Sequence, residues 1–293
     1  MTTGLHALSF DVEEFFHVAN LRGHFDRGDW EQAPSRLDVG MDAILRALEK
    51  GGARATFFFL GWVAERRPDM VRRCLDGGHE VGSHGYEHTF LQDLGPEGLD
   101  QDLARTEEAL IAAGAPRPVG FRASTFTLTR ETFWAIDVLV RRGYVYDSSI
   151  HPISHPVYGI ADFEPGISRV QAGDGGGSIV EFPVSTLRAG GRNLPVGGGG
   201  YFRLLPGWAT RKAVGRIAES GKPASIYLHP WEFDPAQPRY PAPFLKKFRH
   251  YLNLDRTLPR LEALIERYRF VGLREVLEAE GWLESQATGT EAR

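Results

Sequence analysis

The sequence holds a single cysteine, Cys74, in 293 residues. One thiol excludes an intrachain disulfide and removes any need for an oxidising compartment. Cys74 lies in an apolar helical pattern with Val71 and Leu75 and reads as packing. Positive charge is not in surplus either. A net charge of −4 gives no electrostatic case for a nucleic-acid partner, and the pairs Arg66-Arg67, Arg72-Arg73 and Arg141-Arg142 read as solvated helix faces. No uninterrupted apolar run approaches the ~20 residues of a membrane-spanning helix. The start, Met1 to His6, shows neither a basic stretch nor an apolar leader core, so the expectation is a cytoplasmic protein without a transmembrane segment. What remains is ordinary globular composition, 42% hydrophobic and 25% charged, in a chain long enough to bury a substantial core.

Apolar runs alternate with helical patterns along the chain. Strands are expected at Leu5 to Phe10, Ala55 to Leu60, His79 to Ser83, Val119 to Phe121, Tyr144 to Tyr146, Ala224 to Leu228 and Tyr268 to Gly272. Between them, apolar residues recur at helical spacing, as in Leu37, Met41, Ile44, Leu45 and Leu48 before Gly51-Gly52. Further helices are expected near Pro68, from Gly98, over Arg130 to Arg142, over 207–219 and over Thr257 to Arg267. This alternation predicts parallel βαβ units in an α/β fold, a distorted (β/α) barrel of about seven parallel strands. Residues 150–205 break the regularity and read as irregular rim loops. The glycine run Gly197 to Gly200 lacks the Lys-Ser or Lys-Thr of a phosphate loop and reads as a turning rim loop. No linker forces a boundary, so residues 1–283 read as one domain with a C-terminal helix-strand extension, and 284–293 as a frayed tail.

Chemistry clusters at the strand ends. Asp11, His84, Arg122, Asp147 and His229 each follow an apolar strand-like run, and in a parallel α/β barrel those ends share the active-site rim. His84 and His88, four apart, reach one cation if the chain turns helically between them. A third ligand is available in Asp11-Val12-Glu13-Glu14. Two imidazoles and a carboxylate, with positions left for water and substrate, form a recurrent hydrolytic arrangement.

The ordered segments Phe10-Asp11-Val12-Glu13, His84-Gly85-Tyr86-Glu87-His88, Phe121-Arg122-Ala123-Ser124, Tyr146-Asp147-Ser148-Ser149 and Tyr227-Leu228-His229-Pro230-Trp231 resemble those of polysaccharide deacetylases of the NodB-homology, carbohydrate esterase type. Gly198 to Pro206 and Phe248 to Thr257 further resemble the subgroup found with exopolysaccharide and exosortase-type loci. The resemblance implies that Asp11 is the general base and that His84 and His88 bind a divalent metal, zinc or else cobalt, nickel or iron. Many members have two adjacent aspartates, whereas here Val12 follows Asp11. Strand alternation puts residues 11 and 13 on one side, which favours Glu13 as third ligand with Glu14 as the alternative.

In the reaction so implied, Arg122 keeps Asp11 ionised, His229 protonates the departing amine, and Asp147 keeps His229 charged. A backbone N–H just after Arg122 is expected to receive the oxyanion. Tyr86, Tyr201 and Trp231 are candidates for stacking on sugar. The expected activity is metal-dependent N-deacetylation of N-acetylhexosamine units in a bacterial polysaccharide or its precursor, in association with membrane-attached synthesis machinery. Two other readings stay open: hydrolysis of small cyclic amides or ureides on the same fold, and carbohydrate binding without turnover.

Overall fold

The computed structural model describes residues 4–284 apart from 19, 20, 22, 174 and 242. The part of the expected tail beyond 284 lies outside the described residues. Eleven strands are present among them: β1 (Leu5–Val12), β2 (Thr56–Phe59), β3 (Glu80–Ser83), β4 (Gly120–Phe121), β5 (Tyr146–Asp147), β6 (Ser168–Gln171), β7 (Ser178–Glu181), β8 (Thr186–Ala189), β9 (Arg192–Pro195), β10 (Ser225–Leu228) and β11 (Arg269–Val271). Nine form one sheet in the order β10-β1-β2-β3-β4-β5-β7-β6, with β11 also on β1. Within this sheet every pairing is parallel except β6 with β7.

β1 is the central strand, and its partners explain its length. Ala7 to Phe10 pair with β10 on one edge, while Leu5 to Ala7 pair with β11 and Ser9 to Val12 with β2 on the other. A strand covered on both faces is read as a continuous apolar run, and from His6 onward β1 is wholly buried. The sheet curls into a half-barrel. The seam between β7 and β10 is bridged outside any strand ladder, by Ser185 N–H donating to the Ser225 carbonyl (3.1 Å) and Tyr227 N–H to the Gly197 carbonyl (2.8 Å).

Helices cover the outside. Leu37–Gly51 buries Leu37, Met41, Ile44 and Leu48, and ends where Gly52 adopts the left-handed conformation at φ 60°. Phe10 stacks on Phe57 at 5.1 Å in that outer layer, and each fully buried ring contributes about 1.5–3 kcal/mol. The barrel interior is filled by Phe58, Tyr146, Val180 and Phe182. Cys74 is fully buried, as packing requires.

The structure departs from expectation in three places. The span 150–205 is not all loop: β7 is an interior strand of the sheet, and β8 and β9 form a separate hairpin. Four-residue strands beside glycine-rich turns give too short a pattern to register. The helix expected over Arg130 to Arg142 is confined to Ala135–Arg141, because the Thr132 hydroxyl donates to the Thr127 carbonyl (2.6 Å) and accepts from Thr129 N–H (2.8 Å), holding the preceding residues as a turn. The helix expected from Gly98 begins at Leu91 and kinks at Gly95-Pro96. Among the described residues, no helix is long and apolar enough to cross a membrane.

Candidate active site

The parallel sheet delivers its C-terminal strand ends to one rim, where four of the five strand-end residues, Asp11, His84, Arg122 and His229, come together. Asp11 is the penultimate residue of β1, Asp147 ends β5, and His84, Arg122 and His229 directly follow β3, β4 and β10.

Glu13, His84 and His88 each offer one ligand atom, and these atoms lie within 4.8 Å of one another. The turn that joins the two imidazoles is not helical. Gly85 takes φ 74° and His88 φ 52°, folding the chain back so that the rings stand 5.4 Å apart. A side chain at Gly85 would meet Asp102 Oδ2 at 2.8 Å, the same carboxylate that accepts Tyr86 N–H at 2.8 Å. His84 Nδ1 lies 2.8 Å from the Arg122 carbonyl. That acceptor requires the proton on Nδ1 and leaves Nε2 with its lone pair. Burial lowers the pKa of His84 and favours neutral imidazole.

Glu13 Oε1 accepts from Trp231 Nε1 at 3.2 Å. Its Oε2 is buried without a hydrogen-bond donor and faces His88 Nε2 at 3.1 Å. Burial pushes the Glu13 carboxyl up to about 7. An orphaned carboxylate oxygen beside two imidazoles is a donor set that suits a divalent cation. Glu14 points elsewhere: it accepts from the Ser35 hydroxyl and from Arg36 N–H (3.0 Å).

Asp11 Oδ1 accepts from Arg122 Nη1 at 2.7 Å, with both side chains buried. Burial alone would raise the Asp11 pKa, but the charges of Arg122, His84 and His229 and the Arg122 hydrogen bond hold it lowered. Arg122 is fixed in turn by the Ser9 hydroxyl (2.8 Å), the Ser148 carbonyl (2.9 Å) and the Ser148 hydroxyl (2.8 Å).

His229 Nε2 faces Asp11 Oδ2 at 3.8 Å and Glu13 Oε1 at 3.7 Å. Its Nδ1 donates to Glu232 Oε1 at 2.6 Å. Glu232 Oε2 accepts from Arg203 Nε at 2.5 Å, and Arg203 Nη1 donates to the carbonyls of His250 (3.0 Å) and Leu252 (2.9 Å). Burial disfavours imidazolium, yet Glu232, Glu13 and Asp11 together push His229 up to about 9.

Asp147 is therefore not the partner of His229. Its Oδ1 accepts from the Ser149 hydroxyl at 2.5 Å, and its carboxyl is held against Glu181, both pKa values being raised by burial. The Ser149 hydroxyl also accepts Ala123 N–H at 2.7 Å, so the amide directly after Arg122 is already engaged and does not receive an oxyanion.

Two of the expected sugar-stacking residues do other work. Tyr86 is 2% exposed, with the Arg105 guanidinium 3.5 Å above its ring and its hydroxyl on Glu65. Trp231 is buried and stacks on His229 (5.2 Å, 26°) and on His250 (4.5 Å, 10°), which leaves little of the indole for a sugar. Tyr201 is half-buried and lines a cavity of about 800 Å³ with Pro152, Phe163, Arg188 and Arg192.

Glu232 and Arg203 escaped the reading of the sequence. Glu232 carries a faint signal, a carboxylate three residues past His229 at capping-box spacing. Arg203 carries none, since 29 residues separate it from Glu232. The glycine run has a packing cause: a side chain at Gly199 would come within 2.2 Å of Glu232 Oε1.

Residues 24–143 match the family described as Polysaccharide deacetylase, and residues 148–278 match a domain of unknown function, DUF3473. A peptidoglycan deacetylase-like protein of Gibberella zeae is 31% identical over 114 residues, 38% of this chain and 33% of that protein. A peptidoglycan-N-acetylglucosamine deacetylase of Bacillus cereus is 37% identical over 105 residues, 35% of each. The matches thus span about a third of the length of these curated relatives. A solved structure of a candidate polysaccharide deacetylase from Mycobacterium smegmatis has a TM-score of 0.62 at 18% identity, covering 99% of this chain and 96% of that one, a likeness in fold.

Proposed function

Because residues 24–143 match the polysaccharide deacetylase family, we propose that this chain is a metal-dependent hydrolase removing N-acetyl groups from N-acetylhexosamine units of a bacterial polysaccharide or its precursor. The observation that carries the reading is the opposition of Asp11 and His229 beside Glu13, His84 and His88. One carboxylate is held ionised and one imidazole held protonated at neutral pH, the division of labour that acid–base hydrolysis needs.

Glu13, His84 and His88 would hold a divalent ion, zinc by preference, which would supply Lewis acidity toward the acetamido carbonyl and lower the pKa of water to about 7. Asp11, oriented by Arg122, accepts the proton of the attacking water. His229 Nε2 carries the proton that the departing amine needs, and Glu232 fixes the ring through Nδ1. Arg203, anchored on two carbonyls, keeps Glu232 in place.

The cleft is composite. His84, His88 and Arg122 lie within residues 24–143, while His229, Trp231, Glu232 and Arg203 lie within 148–278. Asp11 and Glu13 precede both segments. We take residues 1–283 as one functional unit on that ground, with exopolysaccharide-type polymers as the substrate class. Offering N-acetylated chito-oligosaccharides and peptidoglycan fragments in parallel and measuring acetate tests the substrate class. Acetate from neither, with metal bound, would move the reading to small cyclic amides or ureides.

A further inference from the structure

We propose that the helix Phe244–Tyr251 is a docking element for an anionic lipid surface. It is amphipathic and stands clear of the barrel: Phe244 is 83% exposed, Leu245 57% and Phe248 43%. At 100° per residue these three project within one quadrant or so of the helix, and Phe244 and Phe248 stack at 6.1 Å. Lys247 falls on one side of that strip and Arg249 on the other, with Lys246 behind. The opposite face is anchored through the buried His250, and Tyr251 at the C-terminal end of the helix is buried as well.

Charge selects the occupant. The chain as a whole is acidic at −4, yet residues 235–254 contain Arg239, Lys246, Lys247 and Arg249 and no Asp or Glu. Among the described residues, none of the three lysine and arginine side chains on the helix forms an ion pair. Apolar rings flanked by uncompensated cations match a bilayer interface, where the rings enter the acyl boundary and the cations meet phosphate headgroups. A buried protein interface would instead leave those cations desolvated unless the partner supplied matching carboxylates.

The helix is tied to the cleft. His250 stacks on Trp231, which donates to Glu13, and the His250 carbonyl accepts from Arg203. Docking through the outer face would therefore set the cleft beside the membrane, where a lipid-linked saccharide would present its first sugars. That consequence rests on the deacetylase reading; surface binding does not.

Co-sedimentation with phosphatidylcholine vesicles, with and without phosphatidylglycerol, tests the proposal without substrate. The expected result is binding only to the anionic vesicles, weakened by salt. The triple variant K246Q/K247Q/R249Q should lower partitioning by about 100-fold, and F244S/F248S should also abolish detectable binding with the melting temperature unchanged. Equal binding to neutral vesicles, no binding to either, or a concentration-dependent dimer that F244S/F248S dissolves would overturn the proposal. Because acetate release from soluble oligosaccharide is read separately, failure here is distinct from failure of the deacetylase reading.

Discussion

His229 Nδ1 lies 2.6 Å from Glu232 Oε1, and the same carboxylate accepts from the buried guanidinium of Arg203. The pair sets which nitrogen of His229 faces Asp11 and Glu13. Replacing Glu232 by Gln keeps a hydrogen-bonding group of the same size but removes the negative charge that favours the imidazolium, so less of His229 carries the proton that the departing amine needs. The expected loss is about 100-fold or more in kcat, with little change in KM and unchanged metal content. Loss of metal along with activity would show that Glu232 serves the ligands instead.

Gly199 leaves room for Glu232. A methyl there would stand 2.2 Å from Oε1, so Gly199→Ala should displace the carboxylate from His229. Activity is expected to fall about 10-fold or more while metal content stays. Steady-state kinetics beside metal analysis checks this, and unchanged kcat would mean that the helix Gly199–Leu204 shifts freely.

Glu13 and Glu14 are adjacent but face different partners, the imidazoles in one case and Ser35 and Arg36 in the other. Glu13→Gln should lower metal affinity by about 100-fold or more, the effect of losing a ligand outweighing that of an outer partner. Glu14→Gln should leave stoichiometry intact. Titration with zinc or cobalt distinguishes the two, and the reverse order would assign the ligand to Glu14.

Asp147 and Glu181 share a buried site, and both carboxyl pKa values are raised. The folded state then retains protons that the unfolded chain releases above about pH 4. Stability consequently falls as pH rises above that value, the opposite of a salt-bridged carboxylate. Glu181→Gln keeps an oxygen for Ile150 N–H and removes one charge, so it should be more stable than the parent at pH 8 by about 1–2 kcal/mol. The two should converge near pH 4. Denaturant melts across that range read the difference, and parallel curves would exclude the shared proton.

The legible part of this protein was whatever local pattern encodes. Apolar runs ending in Asp11, His84, Arg122 and His229 announced parallel strands with a common rim, because strands buried on both faces leave polar groups only at their ends. Strand alternation extended past Val12, where β1 ends, favoured Glu13 over Glu14, and Glu13 is the one that stands beside His84 and His88. Side chains whose roles depend on distant partners were not legible. Asp147 follows a strand as the others do, yet Glu181 on the neighbouring β7 claims it. Glu232 becomes the partner of His229 only because Arg203, from a separate segment, holds it. Tyr86 and Trp231 look like sugar platforms in sequence, and only packing reveals Arg105, His229 and His250 stacked against their rings.

Metal-dependent deacetylation with Asp11 as base is tested most directly by acetate release from an N-acetylated oligosaccharide by three samples: metal-stripped protein, the same protein reloaded with zinc or cobalt, and reloaded Asp11→Asn. The predicted result is acetate from the reloaded parent alone, with the Asp11→Asn variant binding metal at the same stoichiometry and turning over at least about 100-fold more slowly. Acetate from the stripped protein, or near-normal turnover by Asp11→Asn, would contradict it.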